Sequence, residues 1–348
     1  MKTNMKATAI APSNIAFIKY WGRKDEILRL PENASISMNL SNLLTTTTVE
    51  FNKDFKEDEI IINNQKEAQE GNRAIKHLDR IRKIARLQMP EHSSGGQARI
   101  KANPSALLRA RVVTKNNFPT GTGLSSSASG FAALTVASAK AAGLNLSEKE
   151  LSILARQGSG SACRSIPDGF VEWLDGDTSE TSYGISLYPE NYWDIVDVVA
   201  VVSKNKKEVS TTEGQKLAAS SPFFKVRKEK IKEKIKLIKK YLKEKDFKNF
   251  GEIVEGEALE LHSIMLTSTP SLIYLLPGSL RIMHLTKKWR AEGLQVYFTV
   301  NTGQDIHLIC QKKDKDTLIK KLEGVEDVQR TIVNYPSKGA HLVENHLF

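Results

Sequence analysis

Three short stretches of this 348-residue chain gather residue types that handle anions. PTGTGLSSSASG, residues 119–130, follows the strand-like RARVVTKNNF and precedes FAALTVASAKAAGL, whose Ala and Leu favour helix. Small residues let backbone N–H groups approach an anion, and a helix N-terminus adds its positive dipole end, so the segment reads as a phosphate cradle. It lacks the P-loop pattern GxxxxGK[ST] and the dinucleotide spacing GxGxxG. Ser126 and Ser127 are placed to reach a phosphate or a bound Mg2+. A plain helix N-cap in a small-residue turn is the competing reading of either serine.

The second stretch, GSGSACRS at 158–165, brings hydroxyls and the Arg164 guanidinium together in a flexible small-residue turn suited to an oxyanion or carboxylate. Cys163 reads as a small packed residue, with no His base close in sequence. In the third, NIAFIKYWGRKD, Asn14 accompanies Lys19, Tyr20, Trp21, Arg23 and Lys24. On a strand, Lys19 and the aromatics alternate faces and a turn at Gly22 throws Arg23 and Lys24 over one end, where cations suit a polyanion. A basic strand end facing water is the alternative for Lys24, but not for Lys19, which is embedded in apolar sequence.

These residues need elements to hold them. ATAIAPSNIAFIKY at 7–20, SISMNL at 35–40 and TTTTVEF at 45–51 carry strand signals, as does DIVDVVAVVS at 194–203. A weak helical repeat spans 65–88, HSSGGQ at 92–97 reads as a loop, and Gly143 is placed to end the Ala-rich helix. Ser147 with Glu150 has the form of a capping box opening a helix over 147–157. QVYFTV and DIHLICQ flank NTGQ as a hairpin.

Two lobes sharing a substantial core are expected from the length. The formal charge of +11 asks for an anionic partner. Within residues 225–248, however, twelve Lys or Arg stand against four acidic residues, on a helix with apolar Ile231, Ile235, Ile238 and Leu242. Most of the excess charge is therefore a solvated helix face. The reading of another class, a non-catalytic anion-binding module using this helix on nucleic acid or lipid, leaves three motifs unexplained. No apolar run is long enough to span a bilayer, and Pro12, Ser13, Asn14 and Lys19 interrupt any leader-like start. Two separated cysteines, Cys163 and Cys310, give no disulfide framework or zinc site, so a reducing cytoplasm is expected.

APSNIAFIKYWGRKDEILRLPENASISMNL, NNFPTGTGLSSSASGFAAL and GSGSACRSIPDGFVEW resemble the signature stretches of the mevalonate diphosphate decarboxylases, of the GHMP kinase superfamily. Their order and spacing agree along nearly the whole chain, including HSIMLTSTPSLIYLLPGSLRIMHL. The resemblance implies an α+β, two-lobe GHMP kinase fold. Residues 1–192 would form the N-terminal nucleotide-binding domain with a left-handed βαβ crossover, and 193–348 a ferredoxin-like C-terminal domain, with the site between them. It implies ATP- and Mg2+-dependent phosphorylation of the 3-hydroxyl of mevalonate 5-diphosphate, then loss of phosphate and CO2 to give isopentenyl diphosphate. By motif, Pro119, Gly121, Gly123, Leu124, Ser125, Ser126, Ser127 and Ser129 would hold ATP, with Ser126 and Ser127 near the metal. Tyr20, Trp21, Arg23, Ser159, Gly160, Ser161 and Arg164 would hold the substrate, and Asn14 and Lys19 would order the site. A homodimer is implied, with neither nucleic acid nor membrane as partner.

The chain departs from the family at one telling place. Where the family's Asp-Ala-Gly-Pro-Asn supplies the Asp taken as the base, this chain reads Asn301, Thr302, Gly303, Gln304, Asp305. An amide cannot take the hydroxyl proton, and a positioned base is worth roughly 10² to 10⁴ in rate. Three readings are open: Asp305 supplies the carboxylate; Asp168, beside the Arg164 cluster, does so; or phosphorylation is weak or lost, leaving a decarboxylase of the 3,5-bisphosphate. A 3-kinase-like relative is a separate alternative. Arg23 in place of the family's Lys also leaves 5-monophosphate and 5-diphosphate open.

Overall fold

The computed structural model describes residues 5–66, 68–87 and 108–348; the loop expected at 92–97 lies outside them. Alternating and β-branched runs build one long antiparallel frame. β1 (Lys6–Ile18) leads through the two-stranded β2 (Arg23–Asp25) and β3 (Leu30–Pro31) to β4 (Ser35–Asn52). β1 and β4 pair from Lys6 opposite Glu50 to Ile18 opposite Ile36, with irregularities at Pro12/Asn14 and Ala16/Ile18. SISMNL and TTTTVEF, expected as separate strands, are one strand of 18 residues, running extended through the intervening SNLL, whose Leu43 is buried too.

β5 (Glu59–Ile62) and β6 (Gln65–Lys66) precede α1 (Ala68–Leu87), which carries the chain to β7 (Arg109–Asn116), parallel to β5 with Ile60 opposite Val112. α2 (Ser126–Ala141) follows, then α3 (Glu148–Gly158), a 3-10 turn (Gly160–Ser165), β8 (Phe170–Trp173) and β9 (Gly184–Tyr188). α2 is almost entirely buried, and its Ala132, Ala133 and Ala137 pack in one core with Ala9, Ala11 and Val49 of β1 and β4. Small side chains let the helix lie close on the sheet, which fixes where its N-terminus points. Ser147 and Glu150 form the expected capping box at α3, and Gly143 takes the positive φ of 73° that ends α2.

The second half comprises β10 (Ile195–Val201), α4 (Thr211–Lys216), α5 (Phe224–Glu244), α6 (Phe247–Leu266), α7 (Pro277–Ala291), β11 (Val296–Thr299), β12 (Ile306–Gln311), α8 (Lys315–Glu323) and β13 (Arg330–Asn334). Its sheet runs β11-β12-β10-β13, all antiparallel, with β11 and β12 as the expected hairpin. β14 (His341–Val343) returns to the first sheet beside β1, so that sheet runs β14-β1-β4-β7-β5-β6 with β8 and β9 branching from β4. Phe17 of β1 meets Phe250 of α6 edge to face at 4.9 Å, inside a core shared by both halves.

The basic helix needs correction. The chain stops being α5 at Glu244, since Lys245 adopts a φ of 55° and Asp246 caps α6 by accepting from the Asn249 amide. Its cations do more than face water: Lys228 pairs with Glu32, Lys239 with Glu172, and Lys234 with Glu257 and Glu260. Arg227, fully buried, holds the equally buried Glu257 at 2.9 Å. That pair brackets the first residue past β1, with the Lys19 N–H donating to Glu257 and the Lys19 carbonyl accepting from Arg227. Removing one partner of a buried pair strands the other charge. Glu257→Ala is therefore expected to lower the unfolding free energy by about 3–5 kcal/mol, read from urea denaturation, whereas exposed Lys216→Ala changes it by less than about 1 kcal/mol.

Candidate functional site

Between the two halves lies a cavity of about 470 Å3 lined by all three anion-handling stretches. Arg164 stands in the 3-10 turn, which is buried and hydrogen-bonded rather than flexible. Its guanidinium donates to Ser37 Oγ at 3.0 Å, Ser35 Oγ at 2.6 Å and Asn14 Oδ1 at 3.1 Å. Every partner is neutral, and among the described residues no carboxylate pairs with it. Burial holds its pKa below the usual value. A buried cation held in shape by hydroxyls and an amide is a receptor for an incoming anion.

Lys19 is also buried, and its Nζ donates to Ala16 O at 2.6 Å, Thr299 Oγ1 at 2.7 Å and Asn301 Oδ1 at 3.4 Å. Burial lowers its pKa to about 7 against a raising contribution from Glu257, and Arg164 and Arg227 push it down further. Asn301 Nδ2 donates to Asn14 O at 3.4 Å and Ser125 Oγ at 3.0 Å, while its carbonyl accepts from His262 Nε2 at 3.0 Å. Asn301 thus joins the Arg164 side of the cavity to the 119–130 loop. Burial pushes His262 down to about 4, so it is the neutral ring that donates.

The loop and the NTGQ turn press together. Gly123, at φ 109°, lies so close to Gly303 that a Cβ on either would enter the other's backbone. Ser125 takes a left-handed φ of 58° as N-cap of α2 and gives no side-chain cap, so the helix's first-turn amides face the cavity unclaimed by a cap. This fits a phosphate. Ile60, Ile62, Val112, Phe131 and Leu134 line the same cavity as an apolar sleeve fit for a flat base. No cluster of three His, Cys, Asp or Glu able to hold a metal exists among the described residues. A Mg2+ here would rest on the Ser126 and Ser127 hydroxyls and on the ligand's phosphate oxygens, a common arrangement for this ion.

At the other end Tyr20 lies over Gly160, where a Cβ would strike its ring at 2.8 Å. Arg23 Nε donates to Tyr20 Oη at 2.8 Å and pairs with Glu26 at 2.5 Å. Arg29, Arg73 and Lys207 also line the cavity, and nothing in their sequence surroundings marked them. Arg29 holds a φ of 53°, and its pKa falls to about 10 through burial and the neighbouring Arg23 and Arg73. Its turn is pinned by Arg156, which donates to Leu28 O at 2.9 Å, and by its own bond to Gln157 O. Burial lowers Lys207 to about 7, and its Nζ donates to Thr302 O and Thr211 Oγ1.

Several expected site residues stand elsewhere. Trp21 is buried among Phe224, Leu261, Leu272 and Tyr274, outside the cavity wall, because the strand alternation ends at Lys19. Leu124 packs in the core with Phe118, and Ser129 is buried against Thr45 Oγ1; neither lines the cavity, nor does Pro119. Asp305 accepts from the amides of Val202 and Ser203, and Asp168 accepts from Gly339 N; the turn and sheet edge hold both away from the wall. Lys24 pairs on the surface with Asp177 at 2.5 Å. Asn14 and Lys19, Tyr20, Arg23, Ser159, Gly160, Ser161, Arg164, Gly121, Gly123, Ser125, Ser126, Ser127 and Asn301 gather at one place.

A two-lobed α+β frame with an uncapped helix N-terminus and buried, unpaired cations facing one cleft is the architecture of a small-molecule phosphoryl-handling enzyme. Residues 11–184 match the Diphosphomevalonate decarboxylase-like N-terminal domain, and 197–344 the Mevalonate 5-diphosphate decarboxylase C-terminal domain. The chain therefore belongs to the mevalonate diphosphate decarboxylase family. It is 37% identical over 327 residues to the Diphosphomevalonate decarboxylase of Debaryomyces hansenii, covering 90% of this chain and 81% of that protein. The crystal structure of the Staphylococcus aureus enzyme superposes with a TM-score of 0.87 at 35% identity, over 97% of this chain and 98% of that one. The structure of MDDEF in complex with MVAPP, AMPPCP and magnesium does so at 0.86 and 34%, over 98% and 99%.

The glycine contact makes a direct test of the cleft's construction. Gly123→Ala places a Cβ into Gly303 at a φ that side chains avoid, and should cost about 1–3 kcal/mol. Gly130→Ala, in α2 with open space around it, should instead stabilise by about 0.5–1 kcal/mol. Chemical denaturation of the two variants checks both signs.

Proposed function

We propose that the chain catalyses the ATP-dependent decarboxylation of mevalonate 5-diphosphate to isopentenyl diphosphate. The observation that carries this reading is the buried Arg164, a charge with only neutral partners, standing across Asn14 and Asn301 from the uncapped N-terminus of α2. Arg164 receives the substrate carboxylate, and Ser159 and Ser161 flank it. Tyr20 and the Arg23, Arg29 and Arg73 guanidiniums receive the 5-diphosphate. The 119–127 loop receives the ATP phosphates, with the base in the apolar sleeve by Phe131. Mg2+ bound with ATP neutralises charge that develops on the transferring phosphoryl group. The substrate is then held between two fixed arrays of donors, so its 3-oxygen and the γ-phosphorus meet without the site having to reorganise.

The lobes divide near residues 192 and 193 in this reading, and the protein works as a cytoplasmic homodimer on small phosphorylated molecules. No described helix is long and apolar enough to cross a membrane.

Pure protein with mevalonate 5-diphosphate and Mg-ATP should release ADP, phosphate and CO2 in equal amounts. ADP without CO2 would show a 3-kinase, and turnover of the 5-monophosphate alone would move the substrate assignment. Arg29→Ile should raise KM for the diphosphate about tenfold, the loss of one charge-assisted contact of about 1.5–3 kcal/mol offset by its neighbours, with kcat little changed in steady-state assays.

A further inference from the structure

Among the described residues lining the cleft, the sole carboxylate is Glu208, exposed on the 203–210 loop, and no histidine is among them. At the point joining the Arg164 side to the phosphate loop stands Asn301, an amide that neither gives up nor takes a proton at working pH. Asp305 takes the Val202 and Ser203 amides on Oδ1, Asp168 takes that of Gly339, and neither carboxylate lines the cleft. His262 reaches only the Asn301 carbonyl, from behind the wall. Lys207 lines the cleft as well, but its Nζ donates to Thr211 Oγ1 and to Thr302 O and Oγ1, and no bond joins it to the Asn301 side chain. One titratable nitrogen remains beside Asn301: Lys19 Nζ.

We propose that Lys19 is the general base of the phosphorylation half-reaction in this chain, taking the proton of the substrate's 3-hydroxyl. The assignment rests on the decarboxylase reading above. As the 3-oxygen forms its bond to the γ-phosphorus, the bond from that phosphorus to the ADP oxygen breaks and its electron pair leaves with ADP. The hydroxyl proton passes to the Lys19 lone pair, giving an ammonium that Ala16 O, Thr299 Oγ1 and Asn301 Oδ1 are placed to accept from.

The surroundings bring the neutral amine within reach at neutral pH. Burial lowers the Lys19 pKa to about 7, and Arg164 and Arg227 act in the same direction. The carboxylates that face it are already engaged: Glu257 by Arg227 and Lys234, and Asp197 of β10 by His307 and Asn334. An aspartate at position 301 would pair with Nζ and hold it charged, so the amide there is what frees the amine. Incoming phosphates raise the Lys19 pKa, so the acid limb of kcat should lie above that of kcat/KM.

The test uses the intact protein with mevalonate 5-diphosphate, Mg-ATP and ADP release. kcat/KM should climb through an apparent pKa near 7. Lys19→Arg keeps the cation but cannot shed its proton, and should cost roughly 10² to 10⁴ in kcat with little change in KM. Adding Asn301→Asp to Lys19→Arg should recover at least tenfold and move the acid limb below pH 6. A Lys19→Arg protein that is folded by thermal melting yet keeps kcat within threefold overturns the assignment, as does a folded double variant with no recovery. Nitrogen NMR of Lys19 Nζ in the free protein supplies a readout independent of turnover. Titration near 7 supports the proposal and titration above 9 overturns it. A wild-type protein that releases no ADP at any pH refutes the decarboxylase reading itself and is recognised as such before any variant is made.

Discussion

The cleft depends on how the backbone of one residue is held. Lys19 is the first residue past β1, where the strand leaves its partner β4, and a free strand end would swing. The Arg227–Glu257 pair closes on both sides of that residue from α5 and α6, and Asn33 adds a third bond, the second to the Lys19 carbonyl. A charge pair this deeply buried is costly to desolvate and offers little net stability over an apolar substitute. What it offers here is direction. It ties the first strand of one sheet to the helices of the other half and aims the Lys19 side chain at the hairpin turn of β11 and β12.

The second joint is steric. Gly123 and Gly303 touch backbone to backbone, so the phosphate loop and the NTGQ turn move as one wall. Electrostatic order and steric order therefore serve the same end: they keep Arg164, Lys19 and the N-terminus of α2 turned toward a shared space. A buried guanidinium with only neutral partners gains more from an incoming anion than one already paired would.

Much of this was legible in the sequence. The 119–130 string, Ser147 with Glu150 and the two strands round NTGQ carry their own local physics, and each became the element it foretold. The three anion-handling stretches were correctly brought together, because small residues beside cations have few other uses. The misreadings share a cause. Trp21 sits one residue past Tyr20 in a strand alternation, yet β1 ends at Ile18 and the period no longer applies. Asp305 looked like a catalytic carboxylate by being near Asn301 in the chain, whereas backbone amides at the end of neighbouring β10 had claimed one of its oxygens. Arg29 was invisible because what matters about it, a left-handed turn fixed by Arg156 of a distant helix, is a tertiary fact. The lysine-rich helix does face solvent as read, but a sequence shows its own charges and not the acids that meet them, so the burial of Arg227 against Glu257 was missed.

The return of β14 to the edge of β1 bears on how such a molecule is made. Thr8 is bonded to His346, Thr48 to Leu347, and Phe348 lies under Lys6 and Arg111. A chain emerging from the ribosome N-terminus first holds β1 with one edge open until residues beyond 340 are available. During that interval the Thr8–Ile10 edge of β1 is open to strands of other nascent chains, although β4 already covers its other side. Closing that edge of the first sheet is thus coupled to completion of the second half, more than three hundred residues away.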